Sequence, residues 1–301
     1  MTFTEEIFAP LFSKKEVKVF VLRLDKFHPE IGGNKYFKLN YNLQKAKEQN
    51  HHTLLSFGGA FSNHIAALAA AGKKYGFKTI GVIRGEELNP DSNPTLKLAS
   101  ENGMHLYFVS RDQYALKENE TFIGKLKAEL GDFFLIPEGG SNAHALKGCM
   151  EIKDLIPFDF NYMLTACGTG GTIAGISLSL KRDQKVIGIP VLKGAEFLKN
   201  NVVKLKQLYF EEYGLREEKN NIEFEFDYHF GGYAKTTTEL LNFKTTFEKE
   251  TGVPTDRIYT AKMFYALYDL VKKDRFQKGS TIVAIHTGGL QGEASTALDL
   301  T

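Results

Sequence analysis

Short apolar runs alternate with amphipathic stretches along this chain, and glycine-rich turns mark most of the changeovers. Residues 17–24 alternate apolar and polar positions as a strand does, whereas 39–49 carry apolar residues at helical spacing under a lysine-rich face. Residues 53–57 predict a buried strand ending at Gly58-Gly59. Ser62-Asn63 then stand where a cap belongs, before the strong helix former of 64–71. Strands are expected over 78–83, 104–109 and 133–136, with helices over 94–102 and 113–130. A second series follows: strand 162–166, helix 173–180, strand 185–191, a charged helix over 196–219, strand 224–228, helices 236–251 and 260–273, and a last strand over 281–285. Strands and helices in this alternation predict an α/β chain with a parallel, doubly wound sheet. Ligand sites in such sheets lie at the carboxyl ends of the strands.

Composition narrows the partners. The 301 residues suffice for two ordinary domains or one large one, and 43% hydrophobic with 25% charged residues is the balance of a globular protein with a full core. A net charge of +2 gives no electrostatic reason to expect nucleic acid or an anionic membrane as partner. No apolar run approaches the roughly 18 residues of a membrane span, and acids occupy the place where a signal peptide would be basic. Cys149 and Cys167 form no CxxC pair and read as reduced, buried thiols of a cytoplasmic protein. The histidines are scattered, with no HExxH pair, so no metal site is expected.

The candidate chemistry sits at the turns. In Gly32-Gly33-Asn34-Lys35-Tyr36-Phe37-Lys38 a lysine follows a flexible pair of glycines; desolvated beside a bound group, it would become a nucleophilic amine, and solvated it would be a surface turn. Gly168-Thr169-Gly170-Gly171-Thr172 lies directly between a strand and a helix and suits one phosphate. It is neither a Walker loop nor a GxGxxG dinucleotide turn. Strand ends at Pro137-Glu138-Gly139-Gly140-Ser141-Asn142 and His286-Thr287-Gly288-Gly289 add small hydroxyl and amide side chains. A reactive lysine, a one-phosphate cradle and polar partners for a ring are the parts that pyridoxal 5'-phosphate requires.

In order, these motifs together with Ser62-Asn63-His64 and Tyr259-Thr260-Ala261-Lys262 resemble those of the 1-aminocyclopropane-1-carboxylate deaminase and D-cysteine desulfhydrase family. The resemblance runs from 31 to 289 and implies the fold of the tryptophan synthase β type: two open twisted sheets with helices on both faces and pyridoxal phosphate in an interdomain cleft. It implies a large domain of 1–38 and 147–301, a small domain of 39–146, and a homodimer. Lys35 becomes the Schiff-base lysine, Asn63 the partner of the ring hydroxyl, Gly168, Thr169, Gly170, Gly171 and Thr172 the phosphate loop, and Thr287 the partner of the ring nitrogen. Ser62, Asn63, His64 and Tyr259 would meet the substrate, with Ser62, Tyr259 and, by a looser match, Tyr233 in catalytic roles. Lys38 would be a nearby structural or tuning cation.

Two positions speak to the reaction. Family deaminases carry glutamate where Thr260 stands and leucine where Thr287 stands, and the desulfhydrase type resembles this chain at both. A threonine only hydrogen-bonds to a neutral ring nitrogen, whereas a carboxylate would keep it protonated. The resemblance therefore implies β-elimination from a small amino acid to pyruvate, ammonia and sulfide. Deamination of 1-aminocyclopropane-1-carboxylate to 2-oxobutyrate is the alternative, and a non-catalytic binding protein on the same fold is a third reading. Tyr36-Phe37 replace the family's small residue and arginine, which predicts an altered charge balance and a bulkier entrance; Ala261 replaces a glycine.

Overall fold

A computed structural model describes residues 2–214 and 221–290. The described strands form two sheets. The larger runs β1-β2-β10-β7-β8-β9, from Thr4–Ile7 (β1), Lys18–Arg23 (β2), Thr281–His286 (β10), Tyr162–Cys167 (β7), Lys185–Pro190 (β8) and Ile222–Phe224 (β9). The smaller runs β5-β4-β3-β6, from His105–Val109 (β5), Lys78–Arg84 (β4), Thr53–Gly59 (β3) and Phe134–Ile136 (β6). Every pairing is parallel except β1 with β2. Parallel strands are covered on both faces, which is why β7 and β10 read as continuous apolar runs buried along most of their length.

The helices are Pro10–Lys14 (α1), Asn34–Glu48 (α2), Asn63–Tyr75 (α3), Pro94–Glu101 (α4), Arg111–Ala115 (α5), Glu120–Leu130 (α6), Ala143–Met150 (α7), Gly171–Ser179 (α8), Phe197–Tyr213 (α9), Thr238–Thr251 (α10) and Thr260–Lys272 (α11). Local chemistry sets several starts. Asn93 opens α4 by accepting from the N–H groups of Thr95 and Leu96, at 2.9 and 3.0 Å. Asn142 caps α7 through Ala145 N–H at 2.9 Å.

Four expectations change. Helix α2 begins at Asn34 and not at 39, so Lys35 and Lys38 stand in its first two turns, three residues apart and on neighbouring positions of one face. The single helix expected over 113–130 is two. Ser110 and Gln113 form a capping box that starts α5, and Asn119 accepts from Phe122 N–H to start α6. The strand expected over 224–228 ends at Phe224, and β1 escaped the pattern because Thr4-Glu5-Glu6-Ile7 is polar; Arg23 holds it down through Glu5 at 2.8 Å. The charged helix ends at Tyr213, and 215–219 of that expectation lie outside the described residues.

Phe37 also departs from its expected place. It is 3% exposed and its ring packs 4.8 Å from that of Phe27 and 5.5 Å from that of Tyr36, within a core that includes Leu146 and Cys149. It therefore fills the interior and does not make a bulkier entrance. Beside it, α2 and α7 touch through Gly148, where a Cβ would lie 1.8 Å from the Phe37 carbonyl oxygen. Gly148→Ala must push the two helices apart, and overpacking of this kind costs about 1–3 kcal/mol. We expect denaturant unfolding of that variant to show a loss in this range; an unchanged midpoint would contradict the close approach.

Candidate functional site

Helix α2 is docked at its first turn onto the end of β10. Gly33, at φ 61°, lies so close to Thr287 that a Cβ there would be 1.9 Å from the Thr287 carbonyl oxygen, and Asn34 N–H donates to that same oxygen at 3.1 Å. Only glycine fits both the left-handed backbone and the contact. The Asn34 side chain then bridges outward: its Nδ2 donates to Thr172 Oγ1 at 2.7 Å, and its Oδ1 accepts from Lys35 Nζ at 3.0 Å. One asparagine thus ties the lysine to the start of α8 and to the last strand.

Burial, reinforced by the Lys38 ammonium, pulls Lys35 down to about 7. Near neutral pH a large share of this amine is unprotonated, as a nucleophile or base must be. Lys38 is 3% exposed, and burial lowers its pKa as well. Its Nζ donates to the Gly139 carbonyl at 2.8 Å and Ser141 Oγ at 2.9 Å, and reaches Thr169 Oγ1 at 3.5 Å; Ser141 and Thr169 share a hydrogen bond of 2.6 Å. These groups come from α2, the turn after β6 and the turn after β7. Gly170 takes a left-handed φ of 85° and opens α8, so the first N–H groups of that helix face the same corner as the Lys38 ammonium. A buried cation, two hydroxyls and a helix N-terminus make a cradle for one compact dianion.

Across from this corner, Ser62 caps α3, accepting from Ile65 N–H at 3.3 Å. Asn63 reaches the other end of the site: a Cβ on Gly289 would lie 2.5 Å from its Nδ2. His64 behaves differently from its neighbours. It is 2% exposed and its Nε2 lies 2.9 Å from Ser56 Oγ, which donates in turn to the Pro137 carbonyl. Ser56 therefore accepts from an Nε2–H tautomer. Burial, with Lys35 and Lys38 nearby, holds this imidazole well below its usual range and hence neutral. Its Nδ1 is buried with no hydrogen-bond partner among the described residues, and its backbone N–H lies in the first turn of α3.

Tyr259 and Tyr233 meet edge to face with ring centroids 6.1 Å apart, and the Tyr259 ring lies against Gly168, where a Cβ would be 3.4 Å away. Burial pushes the pKa of both phenols up, so both stay protonated. Tyr259 is held by Asp256, a residue that no motif singled out. The Asp256 carboxylate accepts from the N–H groups of Ile258, Tyr259 and Thr260 at 3.0, 2.7 and 3.0 Å and from Thr260 Oγ1 at 2.6 Å. The Thr260 hydroxyl, fully buried, also accepts from Asp256 N–H at 2.8 Å. It is occupied within the cap of α11 and leaves Thr287 as the threonine at the strand end. Asn34 and Ser141 lie inside the motifs read from the sequence but were given no individual role there, whereas Asp256 was missed; it precedes Tyr259 at the spacing of a capping aspartate.

Cys149 and Cys167 are free and fully enclosed, and burial pushes their thiols up to about 11 and about 12, so both remain protonated packing groups. No described helix is long and apolar enough to cross a membrane.

Comparison with known proteins agrees with this geometry. The profile of the family described as "Pyridoxal-phosphate dependent enzyme" matches residues 3–288. A protein of Pyrococcus furiosus provisionally named a 1-aminocyclopropane-1-carboxylate deaminase is 32% identical, over 91% of this chain and 85% of that one. The mitochondrial bifunctional D-cysteine desulfhydrase/1-aminocyclopropane-1-carboxylate deaminase of Arabidopsis thaliana is 31% identical over 91% of this chain and 73% of its own. Among solved structures, an ACC deaminase homologue superposes with a TM-score of 0.86 at 29% identity, covering 99% of this chain and 92% of that one. The profile match over nearly all of the described residues, with relatives of 31–32% identity along most of the chain, leads to one conclusion: this chain belongs to the family of pyridoxal-phosphate-dependent enzymes.

Proposed function

We propose that the protein is a pyridoxal-phosphate-dependent lyase of the D-cysteine desulfhydrase type, which removes a β-substituent from a small amino acid and releases pyruvate, ammonia and, from cysteine, sulfide. The observation that carries the reading is the Lys35 amine, brought to about 7 between the anion cradle and the N-terminus of α3. The relatives' names place D-cysteine and 1-aminocyclopropane-1-carboxylate among the substrates to test.

The residues fit the cofactor. Lys38, Ser141, Thr169 and the first N–H groups of α8 would hold its phosphate, Asn63 its ring hydroxyl and Thr287 its ring nitrogen. Bound there, pyridoxal phosphate supplies an electron-withdrawing ring that makes the α-hydrogen of an attached amino acid acidic. The N-terminus of α3, with Ser62, offers backbone donors and a positive dipole end to the substrate carboxylate. Lys35, unprotonated, is placed to take the α-proton at its Nζ and to return it later. Tyr259 and Tyr233 exclude water from the opposite side and keep their protons available. Position 260 carries a threonine in place of the glutamate of the family deaminases, which supports elimination over opening of a cyclopropane ring; its hydroxyl is bound to the Asp256 carboxylate. The Tyr259–Tyr233 pair favours the second reading, 1-aminocyclopropane-1-carboxylate deaminase, since two phenols side by side could serve a ring carbon.

In domain terms, the proposal takes 1–38 and 147–301 as the large domain and 39–146 as the small one, with the site between them. We propose a homodimer in the cytoplasm as the working assembly; light scattering of the purified protein would read its mass.

Assay of the cofactor-loaded protein should show pyruvate and sulfide from D-cysteine, and Lys35→Ala should abolish turnover; release of 2-oxobutyrate alone would select the second reading. Lys38→Gln should weaken pyridoxal phosphate by at least about tenfold more than it weakens pyridoxal without its phosphate, the scale of a lost charge-assisted hydrogen bond. An equal loss for both would remove Lys38 from the cradle. Capture of pyridoxal phosphate by the cofactor-free protein should speed up as pH rises through about 7 and level off above it, since the neutral Lys35 amine reacts and its pKa is lowered to that value. A rate that is flat from pH 6 to pH 8 (roughly one unit either side) would contradict the assignment.

A further inference from the structure

Lys262 is 0% exposed, yet the chemistry above does not use it. Its Nζ donates to the carbonyls of His229 and Gly232, both at 2.8 Å. Those carbonyls belong to an unusual loop: Phe230, Gly231, Gly232 and Ala234 all have positive φ, at 51°, 91°, 120° and 56°. Such a backbone persists only where its surroundings determine it. The surroundings here are one face of α11. Tyr228 at the start of the loop donates its hydroxyl to Asp269 at 2.8 Å, the Phe230 ring packs edge-on at 4.9 Å against Tyr265, and Lys262 grips the middle. Residues 262, 265 and 269 are three and seven apart, one stripe of a helix. Three residues before Lys262 on the same element stands Tyr259, and one residue after the gripped Gly232 carbonyl stands Tyr233.

We infer that Lys262 is a positioning residue that sets the edge-to-face geometry of Tyr233 against Tyr259 by pinning the 229–232 loop to α11. Removing its donors leaves two loop carbonyls and a left-handed backbone without their anchor, while the cofactor cradle, built from α2, the turn after β6 and α8, is untouched. The inference rests on the proposed function only in giving the tyrosine pair a role in turnover.

The test is Lys262→Met, alone and combined with Tyr233→Phe. Hydrogen exchange of 230–235 should quicken about tenfold or more, as expected when buried carbonyls lose their partner, with the rest of the protein unchanged. The affinity for pyridoxal phosphate should hold and kcat should fall, and Lys262→Met should add no further loss of kcat in the Tyr233→Phe background. Unchanged loop exchange, a loss expressed through cofactor affinity, or losses that multiply in the double variant would overturn the inference. Should Lys262→Met not fold, Lys262→Leu takes its place in the same cycle, with the same outcomes expected and the same outcomes overturning the inference. If the wild type turns over no amino acid, the proposed function fails, and the exchange measurement still decides the role of Lys262.

Discussion

The contact between Gly33 and Thr287 governs the geometry of everything around it. A backbone carbonyl at the end of the last strand occupies the space of a missing Cβ on the residue before α2, and the same oxygen receives the Asn34 N–H. The contact fixes where α2 starts and at what rotation. From that phase Lys35 faces Asn34 and the site, Lys38 faces the turns after β6 and β7, and Phe37 is turned into the core. A different residue at 33 would displace all three together, because a helix transmits its phase rigidly.

Two lysines one turn apart divide the electrostatic work. Among the described residues the hydrogen-bond partners of Lys38 are carbonyl and hydroxyl oxygens, an environment that suits the anionic ligand proposed for it. The same charge acts on its neighbour, where it adds to burial in lowering the pKa of Lys35. Binding an anion in the cradle would neutralise part of that field. An anion bound at Lys38 and the reactivity of the Lys35 amine would thereby be coupled through a few ångströms of low-dielectric protein.

Much of this was legible in the sequence, for identifiable reasons. Parallel strands buried on both faces are continuous apolar runs, so β3, β7 and β10 were plain, as were the glycine turns that follow them. The start of α2 was hidden, because Gly33 caps it without a side chain and Gly32-Gly33 reads as a turn. The direction of Phe37 depended on that start and was lost with it. The Lys38, Ser141 and Thr169 cluster joins residues more than a hundred positions apart, which no local pattern encodes. Lys262 stood inside a recognised motif, but only the fold shows that its partners are backbone carbonyls, and a carbonyl has no letter in the sequence.

The position of β10 has a consequence for how the protein is made. It is the last described strand in the chain and lies between β2 and β7, near the middle of the larger sheet, whereas the smaller sheet is drawn wholly from residues 53–136. On the ribosome the smaller sheet has all its strands long before the larger one can close. Until residues 281–286 emerge, β2 and β7 have no common neighbour, and the oxygen that orients Asn34 does not yet exist. Lys35 is therefore synthesised long before Thr287, whose carbonyl fixes the start of the helix that carries it.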